Sequence, residues 1–510
     1  MTIRAFCTAG AWARGRRASC LGLIFAFAVS VAACKAPDRA APTPNVVLFV
    51  VDDLGAQDLA AALQVPGAFH SRFRTPNLER LAARSTRFVD AYAAAPVCTP
   101  SRVALLAGKS PAETHITYWI LHGDRDTSAP FGELVPPAWN LRGLQPGDVT
   151  LATLARDAGL ATIQVGKWHL GAVGTPGADP QAMGFDVSIG GHGAGAPGSH
   201  RGRDGFRGSD AVWDVPGLER WRGKDVFLDE ALAEEAVDAL RASAAAGRGF
   251  FLYFCTYGVH APIQANERYL EHYPDLDPTE AKYATMVETV DAALGRVLDT
   301  LEELGLADDT WIVFTSDNGA LSAHGRGGER HRHNTPYRSG KGSAYDGGTR
   351  VPLFVHRPGQ TRARSVGGLA TGGDVFATIA AALGRAHDAP TTCERWRILD
   401  EDGFEASEPR SLVWHQPHYW GVAGPGIEPY SAIRSGAWKL IHRHADGGFE
   451  LYDLESDPGE TRDLAGEQPE RVAGLARELG SRLRAAGAQR SRVLATGAPV
   501  PWPDEAFGSR

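Results

Sequence analysis

For a chain of 510 residues this one has few sulfur atoms, with six cysteines and three methionines. Two of the cysteines, Cys7 and Cys20, lie in a leader-like N-terminus, and a third, Cys34, stands at its end. Only Cys98, Cys255 and Cys393 remain, too few for a disulfide framework. Excess positive charge is also missing. The formal net charge is -8, and removal of the four arginines in the first 33 residues deepens it to -12, which excludes nucleic acid as a natural partner. No hydrophobic run is long enough to span a bilayer, because the one candidate stops after Leu21 to Val31. Internal repeats are absent, and the glycine-rich piece Gly190 to Gly198 lacks the strand and helix that flank a nucleotide loop, so it reads as flexible loop.

What is present begins with an export signal: basic Arg14 to Arg17, the apolar run, then Val31-Ala32-Ala33-Cys34. Small residues before a cysteine resemble the bacterial lipoprotein signal. This predicts a leader over 1–33, lipid on Cys34 and a proline-bearing tether over 34–44. Lipid on Cys34 would be the chain's one membrane contact, giving a periplasmic or outer-membrane lipoprotein of a Gram-negative bacterium.

From residue 45 the chain alternates strand and helix. Asn45 to Val51 is a continuous β-branched run, expected of a strand covered on both faces, and Asp52-Asp53-Leu54-Gly55 follows it. Thr75 and Thr150 are expected to cap helices. Further strands are expected at Ala161 to Val165, Gly249 to Cys255 and Thr310 to Thr315, with helices over Leu228 to Ala245 and Thr279 to Leu304. Cys255 falls inside a strand, as a core residue. Past residue 385 short strand-like runs come close together, ahead of a helix from Pro469 to Ala485. The fold class is therefore α/β, with a large, mostly parallel sheet sandwiched by helices over 45–385. A smaller unit of antiparallel sheet and helix follows over 386–510.

Asp52, Asp53, Lys167, His169, His260, Asp317 and Asn318 all fall just past the C-terminal end of an expected strand. In a parallel sheet that edge gathers separate loops into one crevice. Three carboxylates and an amide oxygen suit a hard divalent ion such as calcium or magnesium. Arg102, Lys167 and Lys341 add positive charge, and His169 and His260 can donate protons or hydrogen bonds. Metal and cations together describe a pocket for a tetrahedral oxyanion. Cys98 stands ahead of a short apolar helix expected over Ser101 to Ala107, where the helix dipole favours negative charge.

Cys98-Thr99-Pro100-Ser101-Arg102 resembles the Cys-x-Pro-x-Arg signature of the formylglycine-dependent (type I) sulfatases, arylsulfatase-like members of the alkaline phosphatase superfamily. Asn45 to Gly55, Gly166 to Gly171, His260 to Pro262, Ser316 to Gly319 and Gly340 to Pro352 match that family's other blocks in order. The resemblance implies an alkaline-phosphatase-like fold and a sulfatase acting on a sulfated saccharide, of galactose or N-acetylgalactosamine type. It implies that a separate maturation enzyme oxidises Cys98 to formylglycine, whose hydrate is the nucleophile. Asp52, Asp53, Asp317, Asn318 and one oxygen of modified Cys98 would bind Ca2+, or Mg2+ in its place. Arg102 and His169 would hold the hydrate, and Lys167, Lys341 and His260 the sulfate. Phosphonate monoester and phosphodiester hydrolases use the same scaffold, and an inactive glycan-binding lipoprotein would share it; the undecayed motifs favour the sulfatase. The insertion between Lys109 and Leu151, with Trp119 and His122, could form a wall of the substrate site.

Overall fold

The computed structural model describes residues 43–64, 73–386 and 410–508. The leader, Cys34, most of the tether and Cys393 lie outside the described residues. Among the described residues no helix is long and apolar enough to cross a membrane.

The architecture is organised on β1 (Asn45–Val51), whose side chains are buried at every position. Around it lie β2 (Thr86–Tyr92), β3 (Ala161–Gly166), β4 (Val187–Ile189), β5 (Phe250–Cys255), β6 (Thr310–Ser316), β7 (Leu353–His356) and β8 (Arg364–Thr371). They form one eight-stranded sheet in the order β4-β3-β5-β1-β6-β7-β2-β8. Only β7 is antiparallel to its neighbours β6 and β2; every other pair is parallel.

Both faces of β1 are apolar because both are covered. Val47, Phe49 and Val51 pack with α4 (Leu228–Ala245) and α5 (Pro278–Glu303), through Leu232, Met286, Val290 and Leu294 among others. Val46, Leu48 and Val50 pack on the other side with α2 (Cys98–Ala107), α3 (Leu151–Asp157) and α6 (Gly372–Ala382), through Leu106, Leu154 and Phe376. Each large aliphatic side chain so covered stabilises the fold by about 1.5–3 kcal/mol. Helix α5 starts on an Asp277 carboxylate that accepts from Thr279 and Glu280 N–H, and stops at Gly305, whose φ of +67° suits a glycine.

A four-stranded antiparallel sheet follows, made of β9 (Ser411–Gln416), β10 (Tyr430–Ser435), β11 (Trp438–Arg443) and β12 (Phe449–Asp453). One face takes α7 (Pro469–Ala485) through Leu475, Leu479 and Leu483. The other packs Trp414, Tyr430 and Tyr452 against Tyr92, Tyr345 and Leu369 of the large sheet's side. Fully buried in this seam, Lys439 meets Asp346 at 2.8 Å and Glu460 at 2.9 Å.

Two local expectations are corrected. Thr150 does cap α3, accepting from Thr153 N–H. Thr75 does not cap α1 (Pro76–Ala82): its hydroxyl accepts from Ala60 N–H, and Asp291 of α5 takes the Asn77 and Leu78 N–H groups instead, at 3.0 and 2.8 Å. A carboxylate from a packed helix is the stronger acceptor for those orphan donors. The glycine-rich stretch 190–198 is a loop but a packed one, with Gly193, Ala194 and Gly195 buried. A Cβ on Gly195 would lie 2.2 Å from the His169 ring, so the glycine is there to let the backbone approach.

Candidate active site

The register of the large sheet aligns its strand ends. Val50 of β1 pairs with Cys255 of β5 and with Thr315 of β6, while Gly166 of β3 also pairs with Cys255. Asp52, Lys167, Thr256 and Asp317 therefore leave the sheet at one level, and four separate loops open into one crevice. Asp53 adopts φ +60°, a conformation non-glycine residues seldom take, and its N–H donates to Asp317 Oδ1 at 3.1 Å.

Helix α2 brings Cys98 to this edge. It begins at Cys98 itself, one turn earlier than the expected Ser101, because Pro100 is tolerated in a first turn where no N–H partner is required. Val97 offers no side-chain cap, so the first-turn N–H groups of α2 lack that partner. Arg102 is four residues on and so lies on the same face as Cys98. Its Nε donates to Asp317 Oδ2 at 2.7 Å and its Nη1 to Lys167 O at 3.2 Å.

Around Cys98 the side chains converge. Its Sγ is 3.7 Å from Asp52 Oδ1 and 3.9 Å from Asp53 Oδ1, and Lys341 Nζ donates to it at 3.2 Å. Lys167 Nζ reaches Asp52 at 2.6 Å; Lys341 Nζ reaches both oxygens of Asp53, at 2.6 and 2.8 Å. Asn318 Nδ2 donates to Asp53 Oδ1 at 2.8 Å, and His260 Nε2 lies 3.8 Å from Asp53 Oδ2. Donor atoms of Asp52, Cys98 and Asp317, and again of Asp53, Cys98 and His260, lie within 4.8 Å of one another, close enough to share an ion.

A family model for sulfatases matches residues 44–385. The chain belongs to the Sulfatase family. It is similar to human N-acetylgalactosamine-6-sulfatase, 30% identical over 406 residues covering 74% of this chain and 72% of that protein. Over 86% of its length it is 28% identical to the N-acetylgalactosamine-6-O-sulfatase of Bacteroides thetaiotaomicron, of which the match covers 93%. Among solved structures it is similar to Ps i-CgsB, with a TM-score of 0.68 at 25% identity, covering 86% of this chain and 93% of that one. The protein is thus a sulfuric ester hydrolase of alkaline-phosphatase-like fold.

In this sulfatase Asp52, Asp53, Arg102, Lys167, Asp317 and Lys341 are buried while His260 is partly exposed, which spreads their titration. Burial pushes the Asp52 carboxyl up to about 8; Lys167 and Arg102 oppose the rise, and Asp317 and Asp53 add to it. Burial acts the same way on Asp53 but is outweighed by the lysines, Lys341 foremost and Lys167 behind it, which hold it below the usual carboxylate range. Burial pushes the Cys98 thiol up to about 12 against the pull of Lys167 and Lys341. Burial and Lys341 depress His260 to about 3, so its imidazole is neutral at neutral pH. Its Nδ1 lies 2.8 Å from Ala261 O, which puts the proton on Nδ1 and leaves Nε2 as an acceptor. His169 is likewise neutral through burial and Lys167; its Nε2 contacts Ile120 O at 2.7 Å and Thr99 Oγ1 at 3.2 Å, leaving Nδ1 a buried acceptor without a partner.

The structure brings every sequence-selected side chain to this pocket or its wall, His169 through Thr99 next to Cys98. Sequence reasoning missed the supports. Asp229, in the first turn of α4, accepts Tyr257 and Gly258 N–H at 2.9 and 3.0 Å and so fixes the turn before His260. In the sequence it reads only as an acid at a helix start. Arg326, fully buried between Asp58 and Glu280, ties the segment that leads to Lys341 back to the Asp52-Asp53 loop. The insertion after Lys109 meets the small sheet, with Thr117 Oγ1 at 2.8 Å from His418 Nε2 and Tyr118 Oη donating to Tyr419 O at 2.7 Å.

Proposed function

We propose that this protein is an exported, calcium-dependent, formylglycine sulfatase that removes sulfate from a carbohydrate of galactose or N-acetylgalactosamine type. The observation that carries the mechanism is the meeting of Asp52, Asp53 and Lys341 at the side chain of residue 98. The sugar preference is supported by the similarity to two N-acetylgalactosamine-6-sulfatases.

The donor set fits a hard divalent cation. Asp52, Asp53 and Asp317 supply carboxylates, and Asn318 Oδ1 is buried without a hydrogen-bond partner. With Asp52 ionised by the cation it would hold, three carboxylates against Arg102, Lys167 and Lys341 balance in charge, so a divalent ion would leave the pocket positive, as a sulfate ester requires. Asp52, Asp53, Asp317, Asn318 and the modified residue 98 would hold Ca2+, which supplies Lewis-acid polarisation of the sulfate and of the nucleophile. Formylglycine at position 98 supplies a geminal diol, one hydroxyl to attack sulfur and a second through which the resulting ester can eliminate sulfate.

The chain's own groups divide the remaining work. Lys167 and Lys341 face the sulfate oxygens and hold charge that grows in the transition state. Lys341 keeps its proton, since the burial that would lower it is outweighed by Asp53, and it is the group from which the leaving alcohol can take one. Neutral His260, with Nε2 an acceptor, can orient a hydroxyl of the sugar. His169 offers its Nδ1 to a hydroxyl of the hydrate, and Arg102, anchored by Asp317, positions residue 98 from the next turn of α2.

Mass spectrometry of the tryptic peptide Phe88 to Arg102, from protein made with its maturation enzyme, is expected to carry the aldehyde. Active enzyme with thiol alone at position 98 would overturn the mechanism. On paired aryl substrates, kcat/KM is expected to favour the sulfate ester over the phosphodiester; the reverse would reassign the activity. A panel of defined sulfated saccharides then tests the sugar.

A further inference from the structure

Lys341 is gripped from a direction the large sheet does not provide. Trp420 lies in the loop between β9 and β10, and Lys341 Nζ sits over its ring, 5.0 Å from the centroid. The ring is itself fixed. It lies against Gly342, where a Cβ would fall 2.5 Å from Trp420 Cγ and where φ is +86°. Tyr118 meets it edge-on with 6.3 Å between centroids. The two loops are laced together beyond the ring, Ser343 Oγ donating to Pro425 O at 2.8 Å and Ala344 N–H to Gly426 O at 2.9 Å. Lys341 N–H donates to Ala320 O and Gly342 N–H to Pro96 O, both at 2.9 Å, so the backbone is held while the flexible side chain still has to be aimed.

A buried ammonium beside Asp53 is drawn first to that carboxylate, and its other attractions, to Cys98, Asp52 and Asp317, lie within the same acidic cluster. The negative face of an indole supplies a second attraction that is strong where water is excluded and that asks for no proton. Between the two the ammonium stays within 3.2 Å of residue 98.

We propose that Trp420 is a positioning residue for Lys341, by which the small C-terminal sheet completes the catalytic pocket. The proposal rests on the role given to Lys341 above. Its test uses the full-length, calcium-loaded, formylglycine-bearing protein and a small aryl sulfate, which cannot reach distant saccharide subsites. Trp420→Phe keeps a ring face and is expected to retain kcat within about threefold; Trp420→Leu is expected to lose about thirtyfold in kcat with KM changed less than about threefold. In a Lys341→Met background the Trp420→Leu change is expected to cost less than about twofold, because the group it aims is gone. Unfolding temperatures report whether each variant is folded, and the Phe variant carries the test if the Leu variant is not. Unchanged kcat in Trp420→Leu, an equal loss in the Lys341→Met background, an equal loss in Trp420→Phe, or a loss confined to KM would each overturn it. A wild-type protein that turns over no sulfate ester would instead strike the parent reading, before any variant is compared.

Discussion

The ammonium of Lys341 bridges the Cys98 sulfur and the Asp53 carboxylate, at 3.2 Å and 2.6 Å. Position 98 is therefore wired to the acidic cluster through a cation, and a thiolate there would be expected to profit. It does not: burial outweighs both lysines and leaves the thiol at about 12. Unmodified Cys98 is expected to resist iodoacetamide at pH 7.5 in the folded protein and to react once denatured, since the thiolate is the reactive form. Protein made without the maturation enzyme is expected to show no sulfatase turnover. Alkylation followed by mass analysis of the Phe88 to Arg102 peptide checks both.

Replacing Lys341 with methionine removes a donor aimed at developing charge. The expected loss is about 10²–10³ in kcat, the scale found when one transition-state donor is deleted. Stopped assays on an aryl sulfate, with the kcat and KM contributions separated, give the number.

Metal removal is expected to lower stability as well as activity, because Asp52, Asp53 and Asp317 are buried and crowd one another. Saturating Ca2+ at about a hundred times its Kd would add about 2.7 kcal/mol. Calorimetry with chelator, Ca2+ and Mg2+ should show the largest rise in Tm for Ca2+. Asp317→Asn is expected to abolish most of that rise, and a calcium response unaffected by the substitution would remove Asp317 from the ligand set.

Part of the acid sensitivity is expected to come from two buried histidines of β9 and the loop after it. Burial depresses His415 to about 4, with its hydrogen bond to Gln489 O opposing, and depresses His418 to about 3. Both folded values lie below the unfolded value near 6.5, so the unfolded chain binds more protons and stability falls as pH drops from 6.5 toward 4. Each group contributes a slope approaching about 1.4 kcal/mol per pH unit in that window. Denaturant unfolding at pH 7 and pH 5 should give a smaller difference for His415→Gln than for wild type.

Much of the fold is legible in the residues because long apolar runs leave little choice. Asn45 to Val51 cannot be solvated on either side, and the stripe from Tyr283 to Leu301 can only be one face of a helix. The chemistry-bearing residues are legible for the same reason, since polar groups directly after such strands must emerge at the sheet's edge. What is not legible is contact across the chain. Asp291 replaces Thr75 as a cap, Asp229 holds the turn before His260, and Gly195 yields space to His169, each through a neighbour dozens to hundreds of residues away. Periodicity and capping rules read along the chain and carry nothing about such partners.

Lys439, with Asp346 on one side and Glu460 on the other, lies in the seam between the two sheets with no water to share its charge. A chain ending before β9 would leave Asp346 with Arg350 at 3.2 Å and Tyr92 Oη at 2.7 Å, but it would lose Lys439 and uncover Tyr92, Tyr345 and Leu369, at about 1.5–3 kcal/mol for each large apolar side chain. Summed over that face, the loss is a large part of the stability margin of an ordinary domain. The small sheet is thus a keystone, not a detachable accessory, and inheritance of the large sheet without it would require the apolar face at Tyr92, Tyr345 and Leu369 to become polar in the same step.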